Sequence, residues 1–141
     1  VAISQTTVHV AHVVEQIIRN LRGLHRDMRD NAQSWKTMAA VQNPTVAILR
    51  SYMADAVVSY QTRLSWVNDY KNTNANWPAV MAMMTAQGMD TADVAALYSQ
   101  LKTVADQLQA AAPTLTTYAS INGACDQILA AVQAPDSLWP E

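Results

Sequence analysis

Thr7–Lys36 reads TVHVAHVVEQIIRNLRGLHRDMRDNAQSWK, and its spacing sets the architecture expected of the whole chain. Val10, Val14, Ile17, Leu21, Leu24 and Met28 follow one another at steps of four and three, which keeps their side chains on one side of a helix. His12, Glu15, Arg19, Arg22, Arg26, Arg29, Gln33 and Lys36 keep the same rhythm two positions later, roughly 200° round the helix at about 100° per residue. From Arg19 onward every ionisable residue of this second row is basic. The first row predicts a core-facing seam and the second an outer face. Arg19, Arg22, Arg26, Arg29 and Lys36 are therefore the first candidates for contact with a partner.

Other stretches repeat the apolar rhythm and supply seams for the first to pack against. Val46, Leu49, Met53, Ala56, Tyr60, Leu64, Val67 and Tyr70 predict a second helix over 44–71. Asn43 is read as its cap and Pro44 as its first residue, where the missing amide is not needed. Val94, Leu97, Leu101, Val104 and Leu108 predict another over 91–111. There Asp90 caps, Asp93 adds charge to the first turn, Met89 packs back on Val94, and Pro113 brings the helix to a close. Between them, Trp77-Pro78 opens a short helix over 77–87 that Gly88 closes. The last segment, 114–134, keeps Leu115, Tyr118, Ile121, Cys125, Ile128 and Val132 at helical spacing, with Asn122-Gly123 as a potential break. The first helix is expected over 7–42, capped by Thr6 or Thr7, either continuous or broken near Gly23 or Asn31. Residues 1–6 are read as an extended arm and 135–141 as a tail with one large anchor, Trp139.

These elements predict an all-α fold: a single domain forming an antiparallel up-and-down bundle of four main helices plus one short one. At 141 residues, half of them hydrophobic, the chain is long enough for one core and short for two. Only 14% of residues are charged, well below the roughly 25% of ordinary soluble proteins. The net charge of −2 hides a gradient. Residues 1–50 are basic, whereas Lys102 alone stands against Asp90, Asp93, Asp106, Asp126, Asp136 and Glu141 in the last third. Halves of opposite sign attract within a fold or between neighbouring copies.

Few residue patterns suggest chemistry. Di-iron bundles need several Glu residues and Glu-x-x-His pairs, and the only Glu residues are Glu15 and Glu141. His9, His12 and Glu15 lie only partly on one face, a poor metal set that helix-surface histidines explain. Three glycines, Gly23, Gly88 and Gly123, make no phosphate loop. The single Cys125 sits in an apolar rhythm that argues for burial, which excludes a disulfide framework. No stretch is apolar enough to span a bilayer and no signal-peptide pattern opens the chain, consistent with the cytoplasm or a virus particle.

The expected function is accordingly a non-catalytic structural or interaction subunit of a larger assembly, such as a virion or a secretion-type particle, with no cofactor and no membrane contact. Its partners are other protein subunits, copies of itself included. Met81, Met83, Met84 and Met89 offer an adaptable apolar contact surface or fill gaps in the core. Two alternatives stand beside it: nucleic-acid association through Arg19, Arg22, Arg26 and Arg29, and a bundle that binds a small ligand or metal. For the arginine row itself, the pI near 5.8 and the interruptions at Asp27 and Asp30 place nucleic acid third, behind a protein partner and a solvated helix face with Glu15–Arg19 and Arg26–Asp30 pairs.

Overall fold

A computed structural model describes residues 5–73 and 76–132. Five α-helices account for nearly all of them: α1 (Gln5–Val41), α2 (Val46–Thr73), α3 (Trp77–Ala86), α4 (Thr91–Ala111) and α5 (Tyr118–Ala131). A single 3₁₀ turn, Ala112–Thr114, lies between α4 and α5, and there is no strand among the described residues. The fold is an all-α bundle.

The long first helix is continuous. It spans 37 residues, about 55 Å at 1.5 Å per residue. Neither Gly23 nor Asn31 interrupts it, because the core-facing row runs past both. Val10, Val14, Ile17, Leu21, Leu24 and Met28 are all buried, and Ala32, Trp35 and Ala39 extend the seam. Each such Leu or Ile stabilises by roughly 1.5–3 kcal/mol, far more than the roughly 1 kcal/mol that one helix glycine costs. The extended arm expected over 1–6 does not hold at Gln5 and Thr6, which belong to α1; residues 1–4 lie outside the described residues. Neither Thr6 nor Thr7 is therefore its cap.

The α1–α2 link differs from expectation in a way its hydrogen bonds explain. Gln42 has a left-handed backbone, φ 55°. Its N–H donates to the Ala39 carbonyl and the Asn43 N–H to the Met38 carbonyl, both at 3.2 Å, the reverse bonds that close a helix C-terminus. Asn43 thus belongs to the end of α1, and the Asn43–Pro44 peptide bond is cis. The cap of α2 is instead Thr45, whose Oγ1 accepts from the Ile48 N–H at 3.4 Å.

The next two junctions follow the expected chemistry closely. Gly88 has φ 84°; its N–H donates to Thr85 and the Met89 N–H to Met84, both at 3.0 Å. Glycine meets that conformation without a Cβ clash, and both Met84 and Met89 are buried behind it. Asp90 caps α4, accepting from the Ala92 N–H at 2.8 Å. The start of α5 is later than expected, at Tyr118, because Thr117 forms a reciprocal capping box with Ser120. Asn122-Gly123 does not break α5, for Ile121, Cys125 and Ile128 anchor it on both sides.

Cross-helix pairs set the layout. Between α1 and α2, Arg63 Nη1 donates to Asp27 at 2.7 Å and Asn31 Nδ2 to the Tyr60 hydroxyl at 2.5 Å. Between α1 and α5, Lys36 pairs with Asp126 and His25 Nε2 lies 2.7 Å from the Val132 carbonyl. In both cases residue numbers fall on one helix as they rise on the other, so the partners run in opposite directions. Gln61 of α2 donates to Asp106 of α4 at 2.8 Å, and Gln100 of α4 donates to the Ala131 carbonyl of α5. The ring of neighbours is α1, α2, α4, α5, while α3 also packs between α1 and α4. The fourth corner of the bundle is therefore shared, with α5 along Ala32 and the second half of α1, and α3 toward the first half.

Candidate interaction surfaces

Cross-helix pairing alters the arginine row without removing it. Arg19 is neutralised by Glu15 at 2.5 Å. Asp27 turns away toward Arg63 of α2. Asp30, one turn from Arg26, lies 3.7 Å from Arg29 Nε instead. Arg22 and Arg26 are exposed and make no ion pair or hydrogen bond among the described residues. Lys36 points to α5 and is held by Asp126, so the last candidate of the row serves the fold. What remains outward is a short cationic patch of two free guanidiniums.

That patch borders a shallow groove of about 560 Å³. Ala11, Val14 and Ile18 line it on the apolar side, Arg22, Arg26 and the paired Arg19 and Glu15 on the charged side, and Gln87 just after α3 borders it. The arrangement can fork hydrogen bonds to carboxylates or phosphates beside an apolar strip.

The larger unpartnered surface is on α2. Its inward side buries Leu49, Met53, Val57, Tyr60, Leu64 and Val67, and its outward side still carries Ile48, Tyr52, Val58 and Trp66 at 44%, 46%, 67% and 52% exposure. Ile48, Tyr52 and Trp66 fall within about 40° of one another at about 100° per residue and Val58 about 80° to one side, with Asp55, Ser59 and Thr62 between Tyr52 and Trp66, so these are separate apolar anchors and no continuous apolar strip. A solvated helix face normally carries charge at such positions. These four residues were not singled out from the sequence, although the signal was there: apolar residues at 48, 52, 58 and 66 lie off the seam that runs through 49, 53, 60, 64 and 67.

The methionines divide between core and surface. Met84 and Met89 are buried, Met83 packs partly against the core, and only Met81 is exposed, at 37%. Of the two readings of the four methionines, a contact surface or gap-filling in the core, Met84 and Met89 follow the second, and the turn at Gly88 brings the Met89 N–H to the Met84 carbonyl. Met81 instead lines an apolar cleft of about 360 Å³ with Trp77 and Tyr98. Trp139 lies outside the described residues.

No family model matches the chain, and no curated protein or solved structure matches it either. The functional reading therefore rests on the chain's own chemistry.

Three groups able to react, Cys125, Tyr60 and His25, are folded into the core, whereas His9 and His12 are exposed. Cys125 is buried and burial, aided by Asp126, pushes its thiol up to about 11, which keeps it protonated and a poor nucleophile near neutrality. Burial likewise pushes the Tyr60 phenol up to about 12. His25 is buried and donates through Nε2 to the Val132 carbonyl, closing the end of α5. Among the described residues no group of three or more His, Cys, Asp and Glu side chains could hold a metal ion. None of their helices is long and apolar enough to cross a membrane.

Proposed function

We propose that this chain is a non-catalytic interaction subunit of a larger protein assembly, which meets neighbouring subunits, copies of itself included, through the outward faces of α2 and α1. The observation that carries the reading is the set of large apolar side chains left exposed on α2. Ile48, Tyr52, Val58 and Trp66 lie open on one helix, and aromatic side chains of this kind are the usual anchors of protein interfaces. Arg22 and Arg26 add a patch suited to carboxylates, and the acidic last third of the chain supplies carboxylates of the right sign. Low charge and opposed halves suit a component of a particle such as a virion or a secretion-type machine. The burial of Cys125, Tyr60 and His25 favours a role without catalysis.

Nucleic acid is the second reading, favoured by the two unpaired guanidiniums at the α1 groove. Two phosphate contacts imply a slope of about −1.8 in log affinity against log salt, which makes such binding weak at physiological ionic strength.

The test is the association state by native mass spectrometry and light scattering over a range of concentrations. Self-association is expected, and Trp66→Gln should weaken it about tenfold or more while leaving the thermal melt unchanged. A strict monomer at the highest soluble concentration, for the wild-type chain and the variant alike, defeats the self-assembly form of the reading. Complex formation with duplex DNA at low salt that falls away with the slope above, in a chain that does not self-associate, would put the second reading first.

A further inference from the structure

A cleft lies between the first half of α1, the end of α2, α3 and the start of α4. Its depth is apolar: Leu21, Val67 and Met84 form the floor, and Trp77, Met81 and Tyr98 the walls. Its rim is polar: Asn68 and Lys71 on α2, Thr91 and Ser99 on α4. None of these four rim side chains has a hydrogen bond or ion pair among the described residues. Among the described residues, Lys71 is the one cation that lines the cleft and no acidic residue does.

The geometry points to a binding site for a small amphipathic carboxylate, of the medium-chain fatty-acid class, with its chain in the cleft and its head group at Lys71. Three observations favour this occupant. The volume of about 360 Å³ lies at the small end of ligand pockets and, at about 30 Å³ per water-sized atom, holds about twelve non-hydrogen atoms. The walls offer two aromatic rings and a flexible thioether that adjusts to an alkyl chain. The unpaired ammonium and three neutral hydrogen-bonding groups at the mouth match a carboxylate, whereas a neutral or cationic head group leaves Lys71 unanswered. This site is separate from the exposed apolar side chains of α2, so it stands whether or not the chain assembles.

Decanoate and decanol, below the concentrations at which they aggregate, serve as probes of the full chain, followed by residue-resolved nitrogen–proton NMR shifts. Saturable decanoate shifts are expected around Lys71, Trp77 and Tyr98, with weaker binding of decanol. Lys71→Met should lower decanoate affinity about five- to tenfold and leave decanol unchanged. Ala95 is exposed on the cleft wall, so Ala95→Phe fills the cleft from its rim with little demand on the core and should abolish both. The proposal is overturned if decanoate does not saturate, if Lys71→Met weakens both probes equally, or if Ala95→Phe, shown to be folded by its melt, binds as before.

Discussion

Raising the pH from 9 to 12 should destabilise this protein through two residues that its core keeps protonated. Tyr60 is 1% exposed and Cys125 fully buried, and the phenol is pushed from 10.0 to about 12 and the thiol from 9.0 to about 11, in each case chiefly by burial. Both groups are neutral when protonated, so the folded state holds a proton that the unfolded chain releases. Stability must therefore be fully present below pH 9 and fall as the pH rises through each window. The slope is about 1.4 kcal/mol per pH unit for each group, or about 3 kcal/mol from Cys125 between 9.0 and 11 and about 3 kcal/mol from Tyr60 between 10.0 and 12. Together they approach the whole stability of a typical domain, about 5–15 kcal/mol. The assay is urea unfolding at stepped pH for the wild-type chain, Tyr60→Phe and Cys125→Ala. Each substitution lowers stability at neutral pH by a constant amount, through lost packing or the lost contact with Asn31, but removes its own part of the alkaline slope. If Tyr60→Phe loses stability above pH 10 as steeply as the wild type, the phenol does not resist ionisation in the fold and the reasoning fails.

Two further perturbations follow from the backbone. A Cβ built at Gly23 or Gly123 meets nothing within 4 Å, so Gly23→Ala and Gly123→Ala should each stabilise by about 1 kcal/mol in denaturant titrations; a destabilised variant would show that the glycine is needed for a close approach. Gln42 holds a left-handed conformation at the end of α1, and Gln42→Gly should raise stability by about 0.5–1 kcal/mol, read as a shift in urea midpoint without a change in slope.

The seams were legible because burial follows periodicity. Every residue of the Val10–Met28 row and of the Val94–Leu108 row is buried, and Asp90, Gly88 and Pro113 punctuate the chain as their chemistry requires. Local capping was less legible. Asn43-Pro44 looks like a helix start in isolation, yet the Asn43 N–H is taken by α1, and Asn122-Gly123 looks like a break until the anchors on both sides are counted. The outer surface was the hardest to read. Lys36 and Asp27 belong to one helix in sequence, but Asp126 and Arg63, which claim them, are brought there by packing between helices. The sequence showed an arginine row of four; the fold leaves two of those arginines without a partner among the described residues, and leaves exposed on α2 apolar side chains that the same seam arithmetic would have disclosed.

The shared fourth corner bears on how this bundle could be taken apart. Two short helices close the remaining side of α1, and they hold it unequally. α5, of 14 residues, buries Ile121, Cys125 and Ile128 and is tied to α1 by Lys36–Asp126 near one end and His25–Val132 at the other, whereas α3, of 10 residues, buries Val80 and Met84 alone. Hydrogen exchange should therefore divide the molecule into a slow frame that includes α5 and one faster flap, α3. A neighbour that brings a single amphipathic helix has only to displace α3 to be built into the core.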